Sequence, residues 1–209
     1  SKLIEVLPGF HNMRFRYGQF DTALANASEE RIFLAKTYID SVVDMKEEMH
    51  LLQNLKDAGE IPIRVTHNDT KISNALFDSN NKGLCVIDMD TIMPGIVHYD
   101  FGDAIRTICN TASEDETNLD LVTFNIDYYK AYSKGYLEQL GDALTKEEIA
   151  QLPLAAKTMI FIIALRFLTD FLNDDVYFKT QYAHHNLDRA KNQFKLIESL
   201  NEKYDEIQL

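Results

Sequence analysis

The sequence predicts an α+β fold that is mostly α-helical and contains a small β-hairpin. Long stretches repeat apolar residues at the 3.6-residue spacing of helices that pack on a core. Short runs rich in valine and isoleucine lie within residues 61–87 and indicate strands. With 209 residues, of which 45% are hydrophobic, the chain is long and apolar enough for one packed domain.

Residues 1–27 are expected to form an irregular linker, and the domain proper is expected to cover residues 28–209. Pro8-Gly9 is a turn signal, and the aromatic residues that follow it show no clean period. Ser28 and the two glutamates after it mark a helix start, because a hydroxyl caps the first turn and acids favour its positive end. That helix is expected to end near Gly59, a suitable C-cap.

Three short strands are expected next. The first spans Ile61–Thr66, and the other two, residues 76–77 and 84–87, are joined by a polar turn into a hairpin. The remainder is expected to be helical. The expected helices are Tyr99–Cys109, Leu119–Leu140, a segment from the capping-box residue Thr145 to Leu172 that Pro153 interrupts or kinks, and Leu187–Tyr204.

The composition excludes several classes of partner. Acidic residues outnumber basic ones by 33 to 21, and no basic run exists, so neither nucleic acid nor an anionic membrane is expected to bind. The longest apolar run, Met159–Leu165, is shorter than the ~20 residues of a spanning helix. With no signal-peptide pattern, the chain is expected to be cytoplasmic. Cys85 and Cys109 are expected to be free, buried thiols.

The chemistry is concentrated in the segment from His67 to Asn74 and in Asp88 at the end of a strand. Phosphoryl transfer to a hydroxyl needs a carboxylate base, oxygen ligands for Mg²⁺ and a cation facing the γ-phosphate of ATP. Asp69 suits the first task, Asn74 and Asp88 the second, and Lys71 the third. Their order matches the kinase catalytic-loop pattern H-x-D-x-K-x-x-N.

Two alternatives accompany this interpretation. Polar residues of these types are also common in an ordinary loop between strands, although the second strand ending in Ile87-Asp88 favours the kinase interpretation. Asp90 competes with Asp88 for the metal, and Asp88 is preferred because it directly follows the apolar strand.

Four stretches give the chain a resemblance to bacterial N-acetylhexosamine 1-kinases, in the aminoglycoside phosphotransferase and choline kinase superfamily. These stretches are residues 64–71, 86–95, 99–103 and a later one from 165–170 through 177–179. The resemblance implies the C-terminal lobe of the protein-kinase-like fold, with the hairpin carrying the active-site loops. It also implies that Mg²⁺ and ATP are used to phosphorylate a sugar, at the anomeric hydroxyl of an N-acetylhexosamine.

The resemblance also assigns roles to residues. Asp69 would be the base, Asn74 and Asp88 the metal ligands, and Lys71 would stand where the superfamily often has histidine. Asp100 would brace the loop near His67. Arg166 and Tyr177 would line the sugar pocket, but Arg166 could equally be a surface residue paired with Asp170, and Tyr177 an ordinary aromatic.

A phosphate-covering loop is not found upstream of Asp69. None of the eight glycines forms G-x-G-x-x-G or a P-loop. The chain is therefore expected to lack the N-terminal lobe of the same protein, to fold but not phosphorylate by itself, and to expose an apolar patch that favours self-association.

Other functions remain open. The acceptor could be another small alcohol, such as an aminoglycoside. Choline is disfavoured, because the chain has no Trp to face a quaternary ammonium. A non-catalytic kinase-like binding module is a further alternative. His98, His184 and His185 are expected to be ordinary histidines, and residues 113–116 a solvated acidic loop or, less favoured, a polycation-binding lip.

Overall fold

The computed structural model describes residues 3–209, and within them it contains nine α-helices and four short β-strands. The helices are α1 (Met13–Asn26), α2 (Glu29–Asp44), α3 (Lys46–Met49), α4 (Leu51–Ala58), α5 (Val97–Ile108), α6 (Ile126–Leu140), α7 (Lys146–Ala150), α8 (Leu152–Leu172) and α9 (His185–Asn201). The strands are β1 (Arg64–Thr66), β2 (Ala75–Phe77), β3 (Gly83–Val86) and β4 (Met93–Gly95). The prediction of a mostly helical α+β fold is confirmed.

Helix α8 forms the centre of the core and packs against α1, α5 and α9. Gly102 of α5 allows the closest of these approaches, since a Cβ there would collide with the carbonyl oxygen of Ala155 in α8. By length and composition α8 could cross a membrane, but 83% of its most apolar stretch is buried inside the protein. Its apolar character is therefore explained by its place in the core.

Residues Met13–Asn26 form helix α1, so the expectation of an irregular segment over residues 1–27 is wrong for them. The side chain of Asn12 accepts a hydrogen bond from the backbone of Phe15 and caps the helix. Met13, Tyr17 and Phe20 are buried against the core, and the Tyr17 hydroxyl donates to the carbonyl oxygen of Val42 at 2.9 Å. Phe15, which lies between these buried residues in sequence, is half-exposed. The apolar residues of this segment therefore do not show a helical period in the sequence.

The single helix expected over residues 28–58 is divided into α2, α3 and α4, with breaks at Met45 and His50. Its two ends are as predicted. The Ser28 side chain caps α2, and Gly59 ends α4 in the left-handed conformation with φ 75°.

The four strands form two separate antiparallel pairs. Strands β2 and β3 make the predicted hairpin, whereas β1 pairs with β4, a strand that the sequence does not reveal. In this second pair Thr66 lies opposite Met93. Gly95 must lack a side chain, because a Cβ would collide with the hydroxyl of Thr66 and approach Asn68 Oδ1 to 3.1 Å.

Two later boundaries also differ from the sequence prediction. Residues Leu119–Leu121 form a single 3₁₀ turn, and α6 begins only after the side-chain cap of Asn125. The capping box of Thr145 and Glu148 is confirmed, but it opens the short helix α7. Pro153 lies in the first turn of α8, where proline is tolerated, and does not kink it.

The hairpin, the first strand and the residues that flank them expose several large apolar side chains. The large residues concerned are Ile63, Val65, Leu76, Phe77, Leu84, Val86, Ile87 and Met89. Cys85 is exposed here too, contrary to expectation, while Cys109 is buried and its burial raises the pKa of the thiol to about 12.

Candidate active site

The loop of residues 67–71, which follows β1, is held by the first turn of α5. The carboxylate of Asp100 accepts hydrogen bonds from the backbone N–H of His67 at 2.9 Å and of Asn68 at 2.7 Å. The hydroxyl of Thr70 donates to the Asp100 carbonyl oxygen at 2.5 Å. Burial raises the pKa of Asp100, and the two N–H donors act in the opposite direction. Asp100 therefore fixes the backbone on which Asp69 is carried.

The imidazole of His67 joins this loop to the end of β3. Its Nε2 lies 3.0 Å from the carbonyl oxygen of Ile87, and its Nδ1 lies 3.3 Å from the backbone N–H of Asp69. A carbonyl only accepts, so the proton is assigned to Nε2 and Nδ1 accepts. One ring thus sets the separation between Asp69 and the residue after Ile87, which is Asp88.

Asp69, Lys71 and Asn74 form a hydrogen-bonded cluster. Asp69 Oδ2 accepts from Lys71 Nζ at 2.8 Å and from Asn74 Nδ2 at 2.9 Å. The same amide nitrogen donates to the Asp69 carbonyl oxygen at 2.8 Å. The carboxylate is held in one orientation, yet its side chain remains 23% exposed and open to a substrate.

Asp88 lies beside this cluster. It has a left-handed backbone with φ 66°, and its Oδ2 lies 3.5 Å from Asn74 Nδ2. Since Nδ2 of Asn74 is directed at Asp69 and Asp88, its Oδ1 is the free amide atom, and it accepts no hydrogen bond within residues 3–209. Asp90 lines the same cavity but makes no such contact with Asn74.

The amide oxygen of Asn74 and the carboxylate of Asp88 suit Mg²⁺, which takes hard oxygen ligands. Among the described residues no group of three or more His, Cys, Asp or Glu side chains could hold a metal by itself. Protein sites for Mg²⁺ usually supply one or two carboxylates that act together with phosphates and water.

A cavity of about 610 Å³ opens above the cluster. Asp69, Lys71 and Asp88 line one side of it, and Arg166 and Tyr177 also face it. The structure therefore brings together the predicted base, cation, metal ligand and acceptor-binding side chains, which are distant in sequence. His67 and Asp100 lie behind the loop, where they position its backbone.

Arg166 lies in a cage of aromatic rings. Its guanidinium carbon is 5.3 Å from the ring centre of Phe10, 5.7 Å from that of Tyr177 and 5.3 Å from that of Phe178. Burial lowers the pKa of Arg166. No ion pair with Asp170 forms within residues 3–209.

The carboxylate of Asp170 has other partners. It accepts hydrogen bonds from the backbone N–H of Tyr177 at 2.8 Å and of Phe178 at 2.9 Å. Asp170 thereby holds the segment that carries two rings of the cage.

Several cavity residues are not identified by the sequence patterns. Phe10 comes from the supposed linker, and Arg106 is buried in α5, where it donates to Asp103 Oδ1 at 3.0 Å and to Glu114 Oε1 at 2.7 Å. No local motif places either residue in the cavity, because Phe10 meets Arg166 far along the chain and the i,i+3 pair of Arg106 with Asp103 is common on any helix.

The acidic segment 113–116 is a loop with exposed and half-buried residues, as expected, and it is anchored to the helices by ion pairs. Besides the pairing of Glu114, Asp115 binds His185 at 3.0 Å and pairs with Arg189 at 2.5 Å. His98 is buried in the core, and its Nε2 forms a hydrogen bond of 2.9 Å with the Glu148 carbonyl oxygen.

The mostly helical fold and this cluster define a phosphotransferase that acts on small molecules. The model of the phosphotransferase enzyme family (APH) matches residues 3–146, more than half of the chain. The chain belongs to that family, whose members are kinases built on this type of C-terminal lobe and generally use ATP and Mg²⁺. The matched range contains Asp69, Lys71, Asn74 and Asp88 and ends before Arg166.

Proposed function

We propose that this chain is the catalytic lobe of an ATP- and Mg²⁺-dependent kinase that phosphorylates the anomeric hydroxyl of an N-acetylhexosamine. The observation that carries the proposal is the cluster of Asp69, Lys71, Asn74 and Asp88, of which Asp69, Lys71 and Asp88 line one cavity and Asn74 contacts both carboxylates from behind. These four side chains supply a base, a cation and two metal ligands within one loop and the adjacent strand end.

Asp69 acts as the general base in this proposal. The acceptor hydroxyl gives its proton to the free carboxylate oxygen as the acceptor oxygen bonds to the γ-phosphorus, and the bond to the β,γ-bridging oxygen breaks to release ADP. Lys71, 2.8 Å from Asp69, faces the negative charge of the transferred group. Asn74 and Asp88 would hold Mg²⁺, which neutralises charge on the β- and γ-phosphate oxygens when bound.

Arg166 and Tyr177 recognise the acceptor. The guanidinium offers five N–H donors for acceptors such as sugar hydroxyl or N-acetyl oxygens, and three aromatic rings around it hold it in place. Aromatic rings such as Tyr177 suit the apolar face of a sugar.

An aminoglycoside is the second candidate acceptor, and the net charge of −12 favours it. The charges that line the cavity do not separate the two acceptors, because the lining holds four carboxylates, those of Asp69, Asp88, Asp90 and Glu114, besides the cations of Lys71, Arg106 and Arg166. The choice between them therefore depends on the acceptor panel below.

The proposal extends to the nucleotide. The sequence has no glycine-rich phosphate-covering loop, and the apolar side chains of the hairpin, such as Leu76 and Val86, are exposed. We expect these side chains to be covered by an N-terminal lobe and the adenine. The 209-residue chain alone is then expected to fold and to yield no phosphorylated sugar.

An acceptor panel tests the proposed function. The full-length protein containing this chain would be given Mg-ATP with N-acetylglucosamine, N-acetylgalactosamine, their 1-O-methyl glycosides, glucose and kanamycin. We expect ADP release and a sugar 1-phosphate with the first two only, since the methyl glycosides have no free anomeric hydroxyl. Turnover of the methyl glycosides, or preference for kanamycin, would reject the anomeric assignment. Acceptor binding without any turnover would support a non-catalytic module.

A further inference from the structure

A second cavity of about 600 Å³ lies between α1 and α8. From α1 it is lined by Phe15, Arg16 and Gln19 among others, and from α8 by Leu165 and Thr169. Three of its lining residues, Arg166, Tyr177 and Phe178, also line the active-site cavity. The second cavity therefore lies directly behind the cage around Arg166.

Two guanidinium groups face this second cavity without a carboxylate partner. Arg16 donates through Nε and a terminal nitrogen to the Phe10 carbonyl oxygen, at 3.0 and 2.6 Å, and through its other terminal nitrogen to Gln19 at 2.8 Å. Within residues 3–209 neither Arg16 nor Arg166 forms an ion pair. Their guanidinium carbons lie 5.9 and 5.3 Å from the centre of the same Phe10 ring, and both residues line the second cavity.

The positive charges of Arg16 and Arg166 are not neutralised by acidic side chains of the cavity lining. Asp170 is the only acidic residue among those lining the cavity that the structure describes. Its oxygens are already bound by the backbone N–H groups of Tyr177 and Phe178 and by the side chain of Asn186. Burial and the charge of Arg166 lower the pKa of Arg16 to about 10, as expected for two cations that share a poorly solvated site.

We propose that the second cavity binds a small anionic ligand, a carboxylate or phosphate attached to an apolar or aromatic body. The oxyanion would lie between Arg16 and Arg166, because guanidinium groups bind such anions through paired charge-assisted hydrogen bonds. The body of the ligand would cover Phe15, Leu165 and Val176, of which Phe15 and Val176 are exposed.

Each cavity has lining residues that the other lacks, so ligand binding at the second cavity can be distinguished from binding at the active site. Gly18, Gln19 and Ala23 line the second cavity alone, while Lys71, Ser73 and Asp90 line the active-site cavity alone. Amide chemical shifts of the ¹⁵N-labelled chain can therefore report which cavity a probe enters. Suitable probes are benzoate and phenyl phosphate, with uncharged benzyl alcohol as the matched control.

We expect saturable shifts at Gly18, Gln19 and Ala23 with both anions and none with benzyl alcohol. Arg16→Gln should weaken binding about tenfold or more, Arg16→Lys should weaken it less, and Arg14→Gln, an exposed site on the same helix, should leave it unchanged. Equal shifts with benzyl alcohol, shifts confined to Lys71, Ser73 and Asp90, or no saturable shift would overturn the proposal. The probe comparison needs no variant, and because no turnover is measured it is independent of the proposed function.

Discussion

The imidazole Nε2 of His11 lies 2.9 Å from the carbonyl oxygen of Asn68, the residue before Asp69. The ring is buried between Phe10 and Tyr99, with centroid distances of 4.5 and 4.9 Å. Asn68 has a left-handed backbone with φ 66°, a conformation that costs free energy unless its surroundings hold it. His11 therefore supports the 67–71 loop from the segment before α1.

This contact predicts a positioning role for His11. His11→Phe keeps the ring stack but removes the donor, so kcat should fall by roughly tenfold, the effect of about one lost hydrogen bond to a buried carbonyl. The KM for ATP should change little. His11→Gln, which offers an amide N–H, should recover part of the loss. Equal kcat values for the wild type and His11→Phe in steady-state kinetics would contradict the role.

Two buried histidines predict that acid destabilises the fold. Burial lowers the pKa of His11 to about 3 and that of His98 to about 4 from an ordinary value of 6.5. At pH values between 6.5 and these lowered pKa values, the unfolded chain binds protons that the folded chain does not. The free energy of unfolding therefore falls as the pH decreases through this range.

Urea unfolding at several pH values between about 7 and 4 checks this expectation. His98→Gln, which titrates in neither state, should show a shallower loss of stability with falling pH than the wild type, and so should His11→Gln. An unchanged pH dependence in both variants would show that other groups cause the acid sensitivity.

The metal assignment predicts different effects for neighbouring acids. Asn74→Ala and Asp88→Ala each remove an oxygen ligand and should raise the Mg²⁺ concentration needed for half-maximal turnover. Asp90→Ala is the matched control and should do much less, since Asp90 does not contact Asn74. Titration of activity with Mg²⁺ at fixed ATP measures the effect. The assignment is wrong if Asp90→Ala is the severe variant.

The aromatic cage predicts that Arg166 governs acceptor affinity. Arg166→Gln should raise the acceptor KM by about tenfold or more, because it loses charge-assisted hydrogen bonds, and should leave the KM for ATP nearly unchanged. Arg14→Gln, an exposed arginine outside the cavity lining, serves as the control. An increased KM for ATP with an unaltered acceptor KM would place Arg166 on the nucleotide side instead.

The sequence predicted the elements whose signals are local. The Ser28 cap, the Gly59 C-cap, the hairpin and the Thr145 capping box each depend on residues within a few positions of one another. The order of Asp69, Lys71 and Asn74 is local in the same sense, and that order is sufficient to indicate the candidate site.

What the sequence could not predict depends on distant contacts. Strand β4 is only three residues long and exists because it pairs with β1. Helix α1 is defined by buried contacts with α8 and not by a clear apolar stripe. Arg106 and Phe10 join the cavity only through tertiary packing, so no spacing rule identifies them.

The most direct test of the central claim is the turnover of Asp69→Asn in the full-length protein with N-acetylglucosamine and Mg-ATP. Asn preserves the size of the side chain but cannot accept the acceptor's proton, so kcat should fall by ~10²–10⁴-fold with the acceptor Kd changed only a few-fold. Asp40→Asn, an exposed acid paired with Lys36 on α2, should keep wild-type kcat. Wild-type kcat in Asp69→Asn would contradict the account.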